Sequence, residues 1–110
     1  MPVVAELNII PLGKGVSDST WLVPAVRALE TRGVKYELTP MSTIFEAASV
    51  ADAFEVAQAA HEAVVRAGVT RVVTTLKLDD RRDVAASMED KVASVQQRLR
   101  DAKAAGLGAG

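Results

Sequence analysis

Residues 71–79 read Arg-Val-Val-Thr-Thr-Leu-Lys-Leu-Asp, and this stretch decides the fold. Its side chains alternate in character along the chain, which is typical of a strand with two different faces. Residues 3–10 alternate in the same way, with Ala5, Leu7 and Ile9 on one face and Glu6, Asn8 and Ile10 on the other. The chain therefore predicts a sheet whose strands each have one apolar and one partly polar face.

Two helices are predicted between and beside these strands. Residues 11–15 (Pro-Leu-Gly-Lys-Gly) break the first strand, and Ser17 or Ser19 can cap a helix that Gly33 ends. Pro24 predicts that this helix either starts near Leu22 or has an irregular first turn. Ser49 and Asp52 resemble a capping box, and they open a second helix that ends at Gly68.

The remaining segments complete the order of elements. Residues 34–39 and 42–47 predict two adjacent strands with a break or bulge at Pro40. A final helix is predicted to be capped by Asp83, and it carries an apolar stripe formed by Met88, Val92, Val95 and Leu99. The Ala- and Gly-rich residues 104–110 have nothing to bury and are predicted to be a disordered tail.

The predicted fold is α+β, a ferredoxin-like βαββαβ domain over residues 1–103 with an additional C-terminal helix. Right-handed crossovers place both internal helices on the same face of an antiparallel sheet, so the other face is left open. Polar residues are predicted to project from that open face: Glu6, Asn8, Thr39, Thr75 and Lys77. A partly polar open face flanked by apolar residues predicts a surface covered by a partner or a ligand.

The composition of the chain argues against several classes of function. The chain has 110 residues, 13 basic against 14 acidic side chains, no cysteine and one histidine. The near-neutral balance argues against nucleic acid as a partner, and the missing cysteines argue against disulfides and thiolate chemistry. We expect no metal site, no cofactor and no membrane segment, and we expect a cytoplasmic protein.

Several residue groups are candidates for a binding site, and each has a structural alternative. Glu6 and Asn8 leave one strand face together, where a carboxylate and an amide suit an aminopyrimidine, or they are simply solvated or interface residues. Trp21 either stacks on a heteroaromatic ring or packs in the core. The Gly-rich residues 11–15 either cradle an anion or merely connect a strand to a helix. Residues 40–46 offer ligand contacts or a β-bulge.

The chain resembles a known family, the small thiamine-binding proteins that were once a family of unknown function. The resemblance runs over nearly the whole ordered chain and rests on the segments 8–15 with Ser17 and Ser19, 36–43 with Glu46, His61, and 71–81. It implies a ferredoxin-like fold in homodimers or homotetramers that bind thiamine or its hydroxymethylpyrimidine part near a subunit interface. It implies no catalytic step and therefore no catalytic residue.

On this resemblance, the site residues are expected to divide into three roles. Glu6, Asn8 and Glu46 are expected to bind the aminopyrimidine. Thr39, Met41 and Thr43 are expected to shape the pocket wall, and Trp21 is expected to cover the ring or the thiazolium. Ser19 is a further expected ligand-binding residue. The partners are then a thiamine-like small molecule and further copies of this chain. Two alternatives stay open: an assembly module without this ligand, and a small enzyme that uses Glu46 and His61.

Overall fold

The computed structural model describes residues 2–17, 19–84 and 87–106. Within them the elements are β1 (Val3–Leu12), α1 (Ser19–Thr31), β2 (Tyr36–Leu38), β3 (Thr43–Ala47), α2 (Val50–Arg66), β4 (Arg71–Asp79) and α3 (Met88–Ala104). The strands form one sheet in the order β2-β3-β1-β4, and all neighbours are antiparallel. The predicted ferredoxin-like α+β fold with an added C-terminal helix is confirmed.

The core lies between one face of the sheet and the helices α1 and α2. The strands contribute alternating residues to it, for example Ala5, Leu7 and Ile9 from β1, while Leu29 and Val64 enter it from the two helices. The N-terminus of α2 is fixed by Ser49, whose side chain accepts a hydrogen bond from the Asp52 N–H at 3.1 Å. The predicted start of this helix is confirmed.

The opposite face of the sheet is open, as its alternation predicts. Residues of β1 and β4 face each other across it in the pairs Glu6 with Lys77, Asn8 with Thr75, and Ile10 with Val73. Ile10 and Val73 are 44% and 42% exposed, so the face contains an uncovered apolar pair beside its polar pairs. Thr39 does not belong to this face, because β2 ends at Leu38 and Thr39 lies in the turn that follows.

Helix α1 begins earlier than Leu22. It runs from Ser19, so Pro24 lies inside it, and of the two predicted alternatives the start near Leu22 is wrong. Proline lacks the N–H that would reach the carbonyl four residues earlier. At this position only one backbone hydrogen bond close to the helix start is lost, which the helix tolerates.

The cap of α3 also differs from the prediction. Ser87 caps this helix in a full capping box with Asp90, so the predicted cap Asp83 is wrong. The Asp83 carboxylate is instead held by the Arg81 guanidinium, at 2.8 and 3.1 Å. The helix continues to Ala104, and the N–H groups of residues 105 and 106 bond back to its last turn. The rest of the predicted tail, residues 107–110, lies outside the described residues.

Candidate functional site

A cleft of about 630 Å³ opens between α1 and the turn that joins β2 to β3. It forms because β3 begins only at Thr43, opposite Leu7, so the later part of β1 has no β3 neighbour. The floor consists of buried apolar side chains: Leu7, Ile9, Ala25 and Leu29. At the mouth lies Met41, which is 81% exposed. A cleft of this size with a buried apolar floor and polar groups around it is typical of a small-molecule site.

The cleft gathers several residues that the sequence analysis assigned to a ligand. Its lining includes Asn8, Ser19, Thr39, Met41 and Thr43. These five come from β1, α1, the turn and β3, so they are distant along the chain. The fold therefore brings most of the expected site residues to one place.

Thr39 organises the turn at the mouth of the cleft. Its hydroxyl donates to the Ser42 carbonyl at 2.9 Å and accepts from the N–H groups of Met41 and Ser42 at 3.3 and 3.0 Å. A hydroxyl that accepts from nearby backbone donors stabilises a turn locally. The role of Thr39 is therefore to hold the shape of the turn, and its hydroxyl is already occupied.

Asn8 ties the turn to the sheet and keeps one polar group available. Its Nδ2 donates to the Met41 carbonyl at 3.2 Å, which leaves Oδ1 as an acceptor. Thr43 makes no side-chain hydrogen bond within the described residues, so its hydroxyl can donate or accept. Both residues line the cleft, but their side chains leave opposite faces of the sheet: Thr43 pairs with the buried Leu7 and faces the helix side, whereas Asn8 projects from the open face.

Glu6 lies next to the cleft, although it does not line it. The Ser42 hydroxyl donates to Glu6 Oε2 at 3.2 Å, and Ser42 itself lines the cleft. The carboxylate is thus joined to the cleft through one side chain. It projects from the open face of the sheet, opposite Lys77.

The cleft also contains charged residues that the sequence analysis missed. Arg27 and Glu30 lie one turn apart on α1, and the Tyr36 hydroxyl donates to Glu30 Oε1 at 3.2 Å. Partial burial, and then the hydrogen bond to the Glu30 carboxylate, raise the pKa of Tyr36, so it stays a protonated donor. The only sequence signal for Arg27 and Glu30 is their helical spacing, and the same spacing is equally typical of a solvated helix surface.

Two expected ligand residues lie elsewhere. Trp21 is partly buried against the core, and Lys14 Nζ lies 4.8 Å from the centre of its ring. Glu46 accepts a hydrogen bond from the Met88 N–H at 2.6 Å and lies 3.7 Å from Lys35 Nζ. Its carboxylate therefore anchors the start of α3, where a negative charge also interacts favourably with the helix dipole.

Glu46 and His61, the pair expected for a possible enzyme, are on opposite faces of the sheet. His61 Nδ1 lies 2.6 Å from the Thr74 hydroxyl, and Thr74 faces the helix side because it pairs with the buried Ile9. Glu46 lies between the buried Phe45 and Ala47 and so projects from the open face. The two groups share no site within one subunit.

Two features are absent from the part of the chain that the structure describes. No group of three or more side chains there could hold a metal ion. None of the helices described has both the length and the apolar character needed to cross a membrane.

The fold and the cleft define a ferredoxin-like α+β protein with a small-molecule-sized cleft beside its sheet. The profile of the family described as thiamine-binding protein matches residues 5–96. A UPF0045 protein of Methanothermobacter thermautotrophicus is 46% identical over 98 residues, which cover 88% of this chain and 99% of that one. The UPF0045 protein YqgV of Bacillus subtilis is 40% identical over 101 residues, covering 87% and 96%. The chain belongs to the thiamine-binding protein family.

Solved structures show the same fold. A hypothetical protein of Methanocaldococcus jannaschii superimposes with a TM-score of 0.79 at 35% identity, covering 86% of this chain and 96% of that one. A candidate thiamine biosynthesis/salvage protein of Thermotoga maritima superimposes with a TM-score of 0.73, covering 86% and 99%. The second is only 18% identical, so it shows likeness of fold alone.

Proposed function

We propose that this chain binds thiamine or its hydroxymethylpyrimidine part in the cleft between α1 and the turn at residues 39–42. The ligand is not transformed, and the protein acts as a cytoplasmic carrier or sensor. The observation that supports this most is the convergence of Asn8, Thr43 and three further expected residues on one apolar cleft. Membership of the thiamine-binding protein family supports the choice of ligand.

The chemistry of the cleft suits such a ligand. An aminopyrimidine has an amine donor beside ring-nitrogen acceptors, and the Thr43 hydroxyl, on the same face of the sheet as Leu7, can accept from the amine or donate to a ring nitrogen. Asn8 Oδ1 offers a further acceptor on the open face. Its flat ring suits the apolar floor, and Met41 can adapt to it at the mouth. Glu30 on the wall and Glu6 beside it favour the positive charge of a thiazolium, whereas Arg27 on the wall and Lys77 opposite Glu6 act against it.

A second copy of the chain is part of this proposal. The open face carries Glu6 and Asn8 next to the exposed apolar pair Ile10 and Val73. Covering an apolar pair on an open sheet face stabilises association. We therefore place the cleft beside a homo-oligomer interface formed by this face, in a dimer or a tetramer.

The experiment that tests ligand binding is calorimetric titration with thiamine and with hydroxymethylpyrimidine. Thr43→Val keeps the shape of the side chain and removes its hydroxyl, so affinity should fall by about tenfold, the equivalent of one hydrogen bond. Thr70→Val is the matched control, because Thr70 is exposed and does not line the cleft. It should bind as the original chain does.

The outcomes separate three functions. The ligand should be recovered unchanged after incubation, and a new product in the mass spectrum would favour an enzyme instead. If neither compound binds, the ligand assignment is wrong. If the protein nevertheless stays oligomeric, the assembly module without this ligand becomes the better reading of the open face.

A further inference from the structure

Within the described residues, the polar contacts of helix α3 with the rest of the protein all come from its first turn. In the described residues, its hydrogen bonds and ion pairs to the body come from Met88, Glu89 and Lys91, which contact Glu46, Lys35 and Asp79. Met88 is the one side chain of α3 that is buried among those described. The helix has 17 residues and is therefore about 25 Å long, so most of its length projects from the body.

The projecting part carries an apolar stripe. Val92, Val95 and Leu99 are exposed by 54%, 58% and 63%. With Met88 before them and Ala102 after them, their spacing is four, three, four and three residues. This alternation is the a/d pattern of a helix that pairs with another helix. A helix that projects into water alone gains nothing from such a stripe.

The charges on α3 favour a second copy of the same helix as its partner, and they favour antiparallel packing of the two. The first turn holds Glu89, Asp90 and Lys91 and is net negative, whereas the second half is net positive, because its basic residues Arg98, Arg100 and Lys103 outnumber Asp101. Two copies of this helix side by side in the same direction would bring like charges together. If the two helices are antiparallel, the acidic start of each lies near the basic end of the other. Their helix dipoles then also attract each other.

We propose that α3 is a pairing helix, which packs antiparallel against α3 of a second copy of this chain through Val92, Val95 and Leu99. The two-fold axis passes close to Val95, the middle of the stripe. This contact is separate from the open face of the sheet and from the ligand cleft. It does not depend on the identity of the ligand.

Cysteine cross-linking tests the pairing and its direction, because the chain has no cysteine of its own. Val95→Cys lies near the axis and should form a disulfide-linked dimer under mild oxidation. Ala102→Cys is on the same stripe, but in an antiparallel pair its two copies are about 20 Å apart, too far for a disulfide. Ala93→Cys, on the opposite side of the helix, is the control for random collision, and it should cross-link no more than Ala102→Cys.

Particle mass provides the second measurement. Val95→Lys should lower the mass measured by light scattering by one assembly step, whereas the matched Ala93→Lys should leave it unchanged. Equal cross-linking of Val95→Cys and Ala102→Cys would overturn the antiparallel arrangement. Absence of a Val95→Cys dimer together with an unchanged mass for Val95→Lys would overturn the pairing itself.

These results are distinguishable from those that test the ligand. Val95→Lys should bind thiamine as the original chain does, since α3 does not line the cleft. If Val95→Lys lowers the particle mass but still binds thiamine, the result supports the pairing of α3 independently of the ligand cleft. Failure of cross-linking would leave the calorimetric test of the cleft untouched.

Discussion

Helices α2 and α3 have the same length and nearly the same beginning, yet they have different surroundings. Each has 17 residues, and each is capped by a serine that accepts a hydrogen bond from an aspartate N–H three residues later. Helix α2 buries five side chains, Ala53, Val56, Ala57, Ala60 and Val64. Helix α3 buries only Met88. A local signal that starts a helix therefore does not determine what the helix packs against.

The difference lies in the side chains that face the neighbours. The buried face of α2 consists of alanine and valine, which allow close approach to the sheet and to α1. The stripe of α3 contains larger side chains, but the helix-side face of the sheet is already covered by α1 and α2. α3 thus starts at the open face, held by Glu46, and continues into solvent.

The largest expected effect contrasts the two helices directly. Val64→Ala removes two methyl groups from a fully buried site and should lower the free energy of unfolding by about 2 kcal/mol. Val95→Ala removes the same groups from an exposed site, where the better helix propensity of alanine offsets any loss within one subunit. Denaturant titration at low protein concentration measures both. Equal destabilisation would mean that α3 is packed within its own subunit.

A smaller effect is expected at the two caps. Ser49→Ala and Ser87→Ala each remove one capping hydrogen bond, worth about 1 kcal/mol. The first should lower the stability of the whole domain, because α2 is part of the core. The second should increase amide exchange in α3 alone. Faster exchange throughout the sheet for Ser87→Ala would contradict this contrast.

The smallest effect is a response to acid that is limited to α3. The hydrogen bond from Lys35 lowers the pKa of Glu89 below its ordinary 4.5, and the hydrogen bond from the Ser87 backbone lowers the pKa of Asp90 below 3.8. Both carboxylates stabilise the folded state above those ordinary values, and this contribution is lost as the pH falls through the lowered values. The protection of the α3 amides, which is their exchange relative to the intrinsic rate at each pH, should therefore fall below about pH 4 before the protection of the α2 amides does.

Glu89→Gln is the matched variant for this response. It removes the titrating group and its ion pair with Lys35, so α3 should exchange faster at neutral pH and respond less to acid. An unchanged acid response in Glu89→Gln would assign the effect to other carboxylates. Because these groups are exposed, we expect a small change.

The cleft shows how far site residues can be predicted from sequence. Asn8 and Thr43 were selected as polar residues at a strand and a turn, and the fold brings them together. Glu46 was selected in the same way, yet it faces the other side of the sheet and holds α3. Glu30 was not selected, because a charged residue on a helix surface has no distinguishing pattern. Its position in the cleft is evident only from the tertiary structure, in which the Tyr36 hydroxyl donates a hydrogen bond to its carboxylate.

The sequence by itself determined the strands, the helices and the faces of the sheet. Alternation in β1 and β4 and the cap at Ser49 are local patterns, and local hydrogen bonding and side-chain direction follow from them. Only the tertiary structure decided that β3 begins late enough to leave a cleft beside Asn8, and that α3 projects from the body. Both depend on contacts between residues far apart in the chain, which no local pattern encodes.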